Sequence, residues 1–272
     1  MGTYDIPRQR MEEISDLAEY LAEKYCGSSP VIVPQQIAEA SEIKFTTGNY
    51  KNAFDGLTRY RNNKFRIFIN LRETDNLFTP RVRFSFGHEL GHCKMDWHRN
   101  AMMQPGVRPH ASFLDYCFDS EEEREAEFFS SCLLLPESRV RKDIFRKPFE
   151  YRLVDELRLK YNVSITAVLL RLMALDMRPF MIVCTRNGKI AWQRCSHDFP
   201  FYRIMRGLND AVPVDTAAGE YFADGSKYSK TQDVFAEDWF QLYSAEDRRR
   251  KFHEHCVYYE PLNQVMSILW ED

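Results

Sequence analysis

The sequence has no cysteine framework. Its seven cysteines are odd in number and scattered without short paired spacings, which argues against a disulfide-stapled secreted fold and fits a reducing cytoplasm. A basic balance is missing as well: 37 Lys and Arg stand against 40 Asp and Glu, for a net charge of −3, so direct nucleic-acid binding is not expected. The two densest basic clusters, Arg139-Val-Arg141-Lys142 and Arg248-Arg-Arg-Lys251, read as solvated helix faces. The opening residues lack an apolar segment of the signal-peptide kind, Ile6 stands where a myristoylation motif needs Ser or Thr, and no stretch approaches a membrane span. These absences lead to the expectation of a cytoplasmic protein with no membrane partner. What remains, 44% apolar content over 272 residues, is enough to bury a core and to build two units.

Histidine is also scarce, with seven in the chain, yet two of them stand in His88-Glu89-Leu90-Gly91-His92. Imidazoles four residues apart on a helix project from one face and can hold one zinc ion together. Glu89 follows the first histidine directly, so its carboxylate can reach a metal-activated water as general base without taking a coordination position. The flanks predict a helix. Thr79 is a suitable N-cap, Pro80 suits the first turn, and Val82, Phe84, Phe86 and Leu90 give an apolar surface, with no proline before His98 to end the run. Cys93, beside His92 in sequence, points about 100° away around such a helix and reads as a packing residue.

A catalytic zinc needs a third protein ligand and one open position. His98 falls at the spacing of the extended motif His-Glu-x-x-His-x-x-Gly-x-x-His, but the glycine position is Met95, which favours continuing the helix. The other candidates lie in a second predicted helix that follows Asp119 and ends before Pro136. Glu123 opens its useful face, and Ala126, Glu127 and Ser130 follow at helical spacing, with small side chains that allow close packing. Glu125 and Glu127 are alternatives as ligand, and Glu127 can instead hydrogen-bond the outer nitrogen of a ligating histidine. Ser120-x-x-Glu123 also reads as a capping box, which would keep Glu123 from a metal; Asp119-x-x-Glu122 could cap in its place.

The residues from Arg83 to His92, together with Glu123-Arg-Glu-Ala126-Glu-Phe-Phe129-Ser130 and Leu133-Leu-Leu-Pro136, resemble the two signatures of the ImmA/IrrE metallo-endopeptidases. A third stretch, Val163-Ser-Ile-Thr-Ala167 through Arg171-Leu172, is similar to a later segment of that family, so the resemblance spans about residues 30 to 178. It implies Glu123 as the third zinc ligand, and a narrow protein substrate, typically a helix-turn-helix repressor whose cleavage releases a stress or mobile-element response. The chain departs from the family at Glu127, where Asn or Asp is common.

Along the rest of the chain, residues 8 to 26 and 34 to 40 read as helices, and 43 to 47, 57 to 61 and 64 to 70 as strands, with Asn62-Asn63 as a hairpin turn. An exposed strand of that sheet beside the metal would hold an extended substrate through its backbone. Residues 99 to 118 read as a loop, in which His110 and Tyr116 are candidate donors to an oxyanion. Residues 151 to 175 return to helix with Ser164 as an N-cap; their helix-turn-helix look is read as packing on the peptidase core. Beyond Arg178-Pro179, strands are expected at 180 to 185 and 189 to 196 around Asn187-Gly188, and further ones within 213 to 223 and 254 to 270. The aromatic residues Trp192, Tyr202, Tyr221, Trp239, Tyr258, Tyr259 and Trp270 are expected mainly in its core.

The expected architecture is α+β: a zincin-like peptidase domain over 1–178, including a helical segment at about 150–178, and a small α+β domain over 179–272 with a sensory or partner-binding surface as a minor reading. The expected activity is that of a gluzincin-type zinc endopeptidase with His88, His92 and Glu123 on Zn2+ and Glu89 as base and acid. The alternative is a non-catalytic, zinc-stabilised regulatory protein that binds a partner or DNA.

Overall fold

The computed structural model describes residues 6–107, 109–113, 120–201, 203–242 and 244–271. They fall into two compact units, one reaching to Pro148 and including Arg152–Arg171, the other comprising Phe149–Tyr151 and the residues from Leu172 onward. None of the helices is long and apolar enough, among the described residues, to cross a membrane.

The first unit begins with α1 (Arg8–Cys26), whose Ile14, Ala18, Leu21 and Ala22 are buried at helical spacing, and α2 (Pro34–Ala40). Strands β1 (Lys44–Gly48), β2 (Gly56–Arg61) and β3 (Lys64–Asn70) follow. Asn62 and Asn63 both adopt positive φ, 53° and 58°, the left-handed pair that a two-residue hairpin of this hand requires. β1 runs parallel to β3, and β2 antiparallel to it. Next come α3 (Pro80–Lys94), α4 (Asp96–Met102) and β4 (His110–Ser112), and then α5 (Glu121–Leu134), α6 (Glu137–Ile144), α7 (Tyr151–Tyr161) and α8 (Ile165–Ala174). Among the described residues the first sheet has the order β1-β3-β2-β4.

Two expectations change here. The stretch read as a loop begins inside α4 and contains the edge strand β4, which pairs Ser112, Ala111 and His110 with Gly56, Leu57 and Thr58 of β2; three residues are too few to show alternation. The helix expected to run through His98 stops at Lys94. Met95 is extended (φ −74°, ψ 119°) and buried, and α4 starts at Asp96, whose acid side chain suits a first turn. Because the break uses a negative φ, it needs no glycine. Thr79 stands at the N-cap of α3 as expected, but its hydroxyl accepts from the Asn76 N–H and not from the helix.

Helices α3 and α5 pack through small residues. A Cβ at Gly87 would lie 2.5 Å from the Ser130 hydroxyl, and one at Gly91 would lie 2.8 Å from Cδ1 of the buried Phe129. Ser130 Oγ also donates to the Phe84 carbonyl at 2.8 Å, so the contact is bonded as well as close. At the other end of α3, the buried Arg83 donates to the carbonyls of Ile32, Tyr161 (2.9 Å) and Asn162. Burial lowers its pKa to about 10, which leaves it charged at neutral pH. The carbonyls of Tyr161 and Asn162 lie at the end of α7, and Ser164 Oγ accepts from the Ala167 N–H at 3.1 Å to open α8. The α7–α8 corner is thereby tied to α3.

The second unit contains β5 (Phe180–Arg186), β6 (Lys189–Cys195), α9 (Ala217–Asp224), β7 (Gln232–Phe235), α10 (Ala236–Trp239), β8 (Lys251–Tyr259) and β9 (Gln264–Trp270). Its strands, in the order β6-β5-β9-β8-β7 among the described residues, pair antiparallel throughout. The strand expected within 213 to 223 is instead α9. Thr216 Oγ1 accepts from the Gly219 N–H and Gly225 closes the helix at φ 85°, so the caps prevail over the local β-propensity. A buried carboxylate, Glu254 on β8, accepts from the Ala217 N–H (2.9 Å), Trp239 Nε1 (3.2 Å) and Ser267 Oγ (2.7 Å), fixing α9 by its N-terminus. Trp239 and Trp270 are buried, Tyr221 and Tyr258 pack partly buried on the core, Trp192 and Tyr259 are half-buried, and Tyr202 lies outside the described residues.

The α3–α5 contact yields a sign test. Gly91→Ala in a helix interior ordinarily stabilises by ~1 kcal/mol, whereas overpacking a closed core costs roughly 1–3 kcal/mol. Since the added methyl would meet the ring and Cβ of the fully buried Phe129, Gly91→Ala is expected to destabilise the protein in urea denaturation; an increase in stability would show that α5 can yield.

Candidate metal centre

His88 and His92 lie one turn apart on α3 and are buried, with their Nε2 atoms 3.1 Å from each other. Glu123 reaches them from the first turn of α5: its Oε2 is 3.3 Å from His88 Nε2 and its Oε1 3.3 Å from His92 Nε2. The capping question resolves without conflict. Ser120 Oγ accepts from the backbone N–H of Glu123 at 3.3 Å, which opens the helix, while the Glu123 side chain stays with the histidines. Four-coordinate zinc with bonds of ~2.0–2.1 Å spaces its ligand atoms roughly 3.3–3.4 Å apart, and the 3.1 Å nitrogen–nitrogen separation and the 3.3 Å approach of one Glu123 oxygen to each imidazole are close to that spacing. These three residues form a group able to hold a metal, and the Glu123 side chain, 20% exposed, opens it toward solvent.

Glu89, wholly buried, is held by the sheet. Thr58 Oγ1 on β2 donates to its Oε2 at 2.6 Å. At Gly56 a Cβ would sit 2.4 Å from Glu89 Oε1, so the strand approaches the carboxylate as closely as it does because that residue has no side chain. Neither Gly56 nor Thr58 was singled out from the sequence. The available signal was a glycine at the head of a strand, which marks close backbone approach.

Residues 40–173 match the family model described as IrrE N-terminal-like domain, Peptidase M78. Over that stretch the chain belongs to this family. The M78 family is one of metallopeptidases, and both helices of the metal centre fall inside the matched stretch. A solved structure described as a Mycobacterium tuberculosis transcriptional regulator is similar in fold, with a TM-score of 0.58 over 98% of this chain and 78% of that one, at 12% identity. No curated protein matches the chain.

Around this three-residue group, the supporting residues differ from those expected. His98, weighed as a ligand, lies behind His92 with the two Nδ1 atoms 2.9 Å apart. Its Nε2 faces Glu125 Oε2 at 2.8 Å, so Glu125, weighed as an alternative ligand, supports His98. Glu125 also accepts from Trp97 Nε1 (2.6 Å) and pairs with Arg10 Nε (3.2 Å), and the Arg10 guanidinium lies 3.8 Å above the Trp97 ring. The extended-motif spacing was the signal for His98, and the break at Met95 turns it onto the back of His92. Glu127, expected on a ligand's outer nitrogen, is buried near His88, yet His88 Nδ1 has no hydrogen-bond partner among the described residues. His110 contributes backbone to β4; its side chain and Tyr116 lie outside what is described. Cys93 is buried and its thiol pushed up to about 12 by burial, consistent with packing.

The charges explain the titration. Burial opposes protonation of His88, but Glu123, Glu89 and Glu127 outweigh it and raise its pKa in the metal-free protein. Burial pushes the Glu127 carboxyl up to about 8, from an ordinary value of 4.5. Between those values the folded metal-free protein keeps a proton that the unfolded chain has lost, so its stability falls as pH rises across that window. Glu127→Gln removes this dependence. The chelated variant is expected to exceed wild type by roughly 1–3 kcal/mol near pH 8–9 and to match it near pH 4; parallel stability profiles across that range would contradict the assignment.

Proposed function

We propose that the chain is a zinc-dependent endopeptidase of the gluzincin type, acting in the cytoplasm on one specific protein. The observation that carries this reading is the position of Glu89: a buried carboxylate next to His88, held by Thr58 and separate from the three-residue metal group. A purely structural site has no use for such a group and is expected to have four protein ligands. His88, His92 and Glu123 would hold the zinc, which would supply Lewis acidity and lower the pKa of an attacking water. Glu89 takes the proton from that water and returns it to the leaving amine. Thr58 Oγ1 keeps the carboxylate aimed through both transfers. The substrate lies extended along the edge strand β4, which pairs with the same Gly56–Thr58 segment that flanks Glu89. That adjacency supports the expectation of a strand beside the metal that binds substrate through its backbone. The protein cut is a helix-turn-helix repressor of a stress or mobile-element response, a reading that rests on the family resemblance.

Glu89→Gln is expected to bind zinc as wild type does and to lose cleavage by on the order of 10²–10⁴-fold. Newly created protein N-termini, compared between cells making wild type and Glu89→Gln with and without DNA damage, identify the substrate as the protein cut only by wild type. Identical N-terminal profiles in all conditions would favour a non-catalytic regulator.

A further inference from the structure

We propose that His98 is a positioning residue for the metal centre, and that the line from His92 through His98 to Glu125 carries its protons in a single order. The inference rests on the metal-binding reading of His88, His92 and Glu123, but not on proteolysis. To ligate, His92 must present a lone pair at Nε2, so its proton sits on Nδ1. The two Nδ1 atoms, 2.9 Å apart, share one proton, and His98 Nδ1 is therefore the acceptor. A neutral His98 then carries its own proton on Nε2, which faces Glu125 Oε2 at 2.8 Å. An ionised carboxylate only accepts, and every group around Glu125 donates to it: His98 Nε2, Trp97 Nε1 at 2.6 Å and Arg10 Nε at 3.2 Å. Each atom in the line has one role, and reversing any proton leaves two donors or two acceptors facing each other.

The arrangement differs from a carboxylate placed directly on a ligand's outer nitrogen. A second imidazole stands between ligand and carboxylate, so the negative charge sits one residue farther from the metal while the bond direction still increases the basicity of His92. Its far end is Arg10 of α1, thirty residues before the stretch that the family model matches. The metal helix is thus supported by a part of the chain outside the matched domain.

Two measurements test this. In zinc-loaded protein labelled with 15N-histidine, long-range 1H–15N spectra are expected to show His92 protonated at Nδ1 and His98 at Nε2 alone; protonation of His98 at Nδ1 overturns the proposal. In the second, zinc affinity is read by chelator competition for wild type, His98→Asn and His98→Gln, with apo-protein melting temperatures recorded for all three. An asparagine carbonyl reaches the place of Nδ1 and still accepts from His92, whereas glutamine reaches the place of Nε2 and keeps only Glu125. His98→Gln is expected to weaken zinc binding by roughly 10–100-fold, with His98→Asn close to wild type and the apo melting temperatures alike. Equal affinity for the two variants, whether lowered or unchanged, overturns the positioning role while leaving the metal site in place. Failure of wild type to bind zinc overturns both.

Discussion

A tetrahedral ion with bonds near ~2 Å requires ligand atoms roughly 3.3–3.4 Å apart, and one helix can offer only two of them on a single face. The centre therefore depends on how near α5 comes to α3. That distance is set by Gly87 and Gly91, which meet Ser130 and Phe129 where ordinary side chains would hold the helices apart. Both glycines are on the motif helix, and Gly91 lies inside the motif itself. Arg83 then fixes the start of α3 to carbonyls at the end of α7, and the Arg10–Glu125–His98 line supports its far end, so the helix is constrained at both ends.

Residue type and spacing made two members of the candidate metal group legible. His88 and His92 declare a shared face, Ser120 declares a helix start, and Asn62-Asn63 and Asn187-Gly188 declare hairpins that the positive φ values bear out. What stayed hidden depends on contacts distant in sequence. Met95 breaks the helix because its side chain gains a buried site, a tertiary effect that no local propensity contains. β4 exists through its pairing with β2, and α9 through caps at Thr216 and Gly225 that a search for alternation passes over. The placement of Glu123 came from the family signature, since its spacing alone served a capping box as well as a metal site.

The electrostatics of the centre are those of a site short of positive charge. Glu89, Glu123 and Glu127 gather around two neutral-capable imidazoles; the raised pKa of His88 expresses that shortage, while the Glu127 carboxyl is raised first by its burial and then by Glu123. A divalent cation relieves it at once, and protons relieve it in part. The donor set, the spacing and the charge thus favour the same occupant on independent grounds.

Gly56 has a consequence for how such a protein can change over time. The candidate metal ligands belong to helices, but the proposed base is placed by a strand, through a threonine and through the missing side chain of one residue. Holding the ion and using it are therefore encoded in different parts of the chain. A single methyl group added at Gly56 would meet the Glu89 carboxylate before any of the three candidate ligands. Descendants that keep the ion and abandon chemistry lie one substitution away, and a motif scan confined to the helix would not tell them from working enzymes.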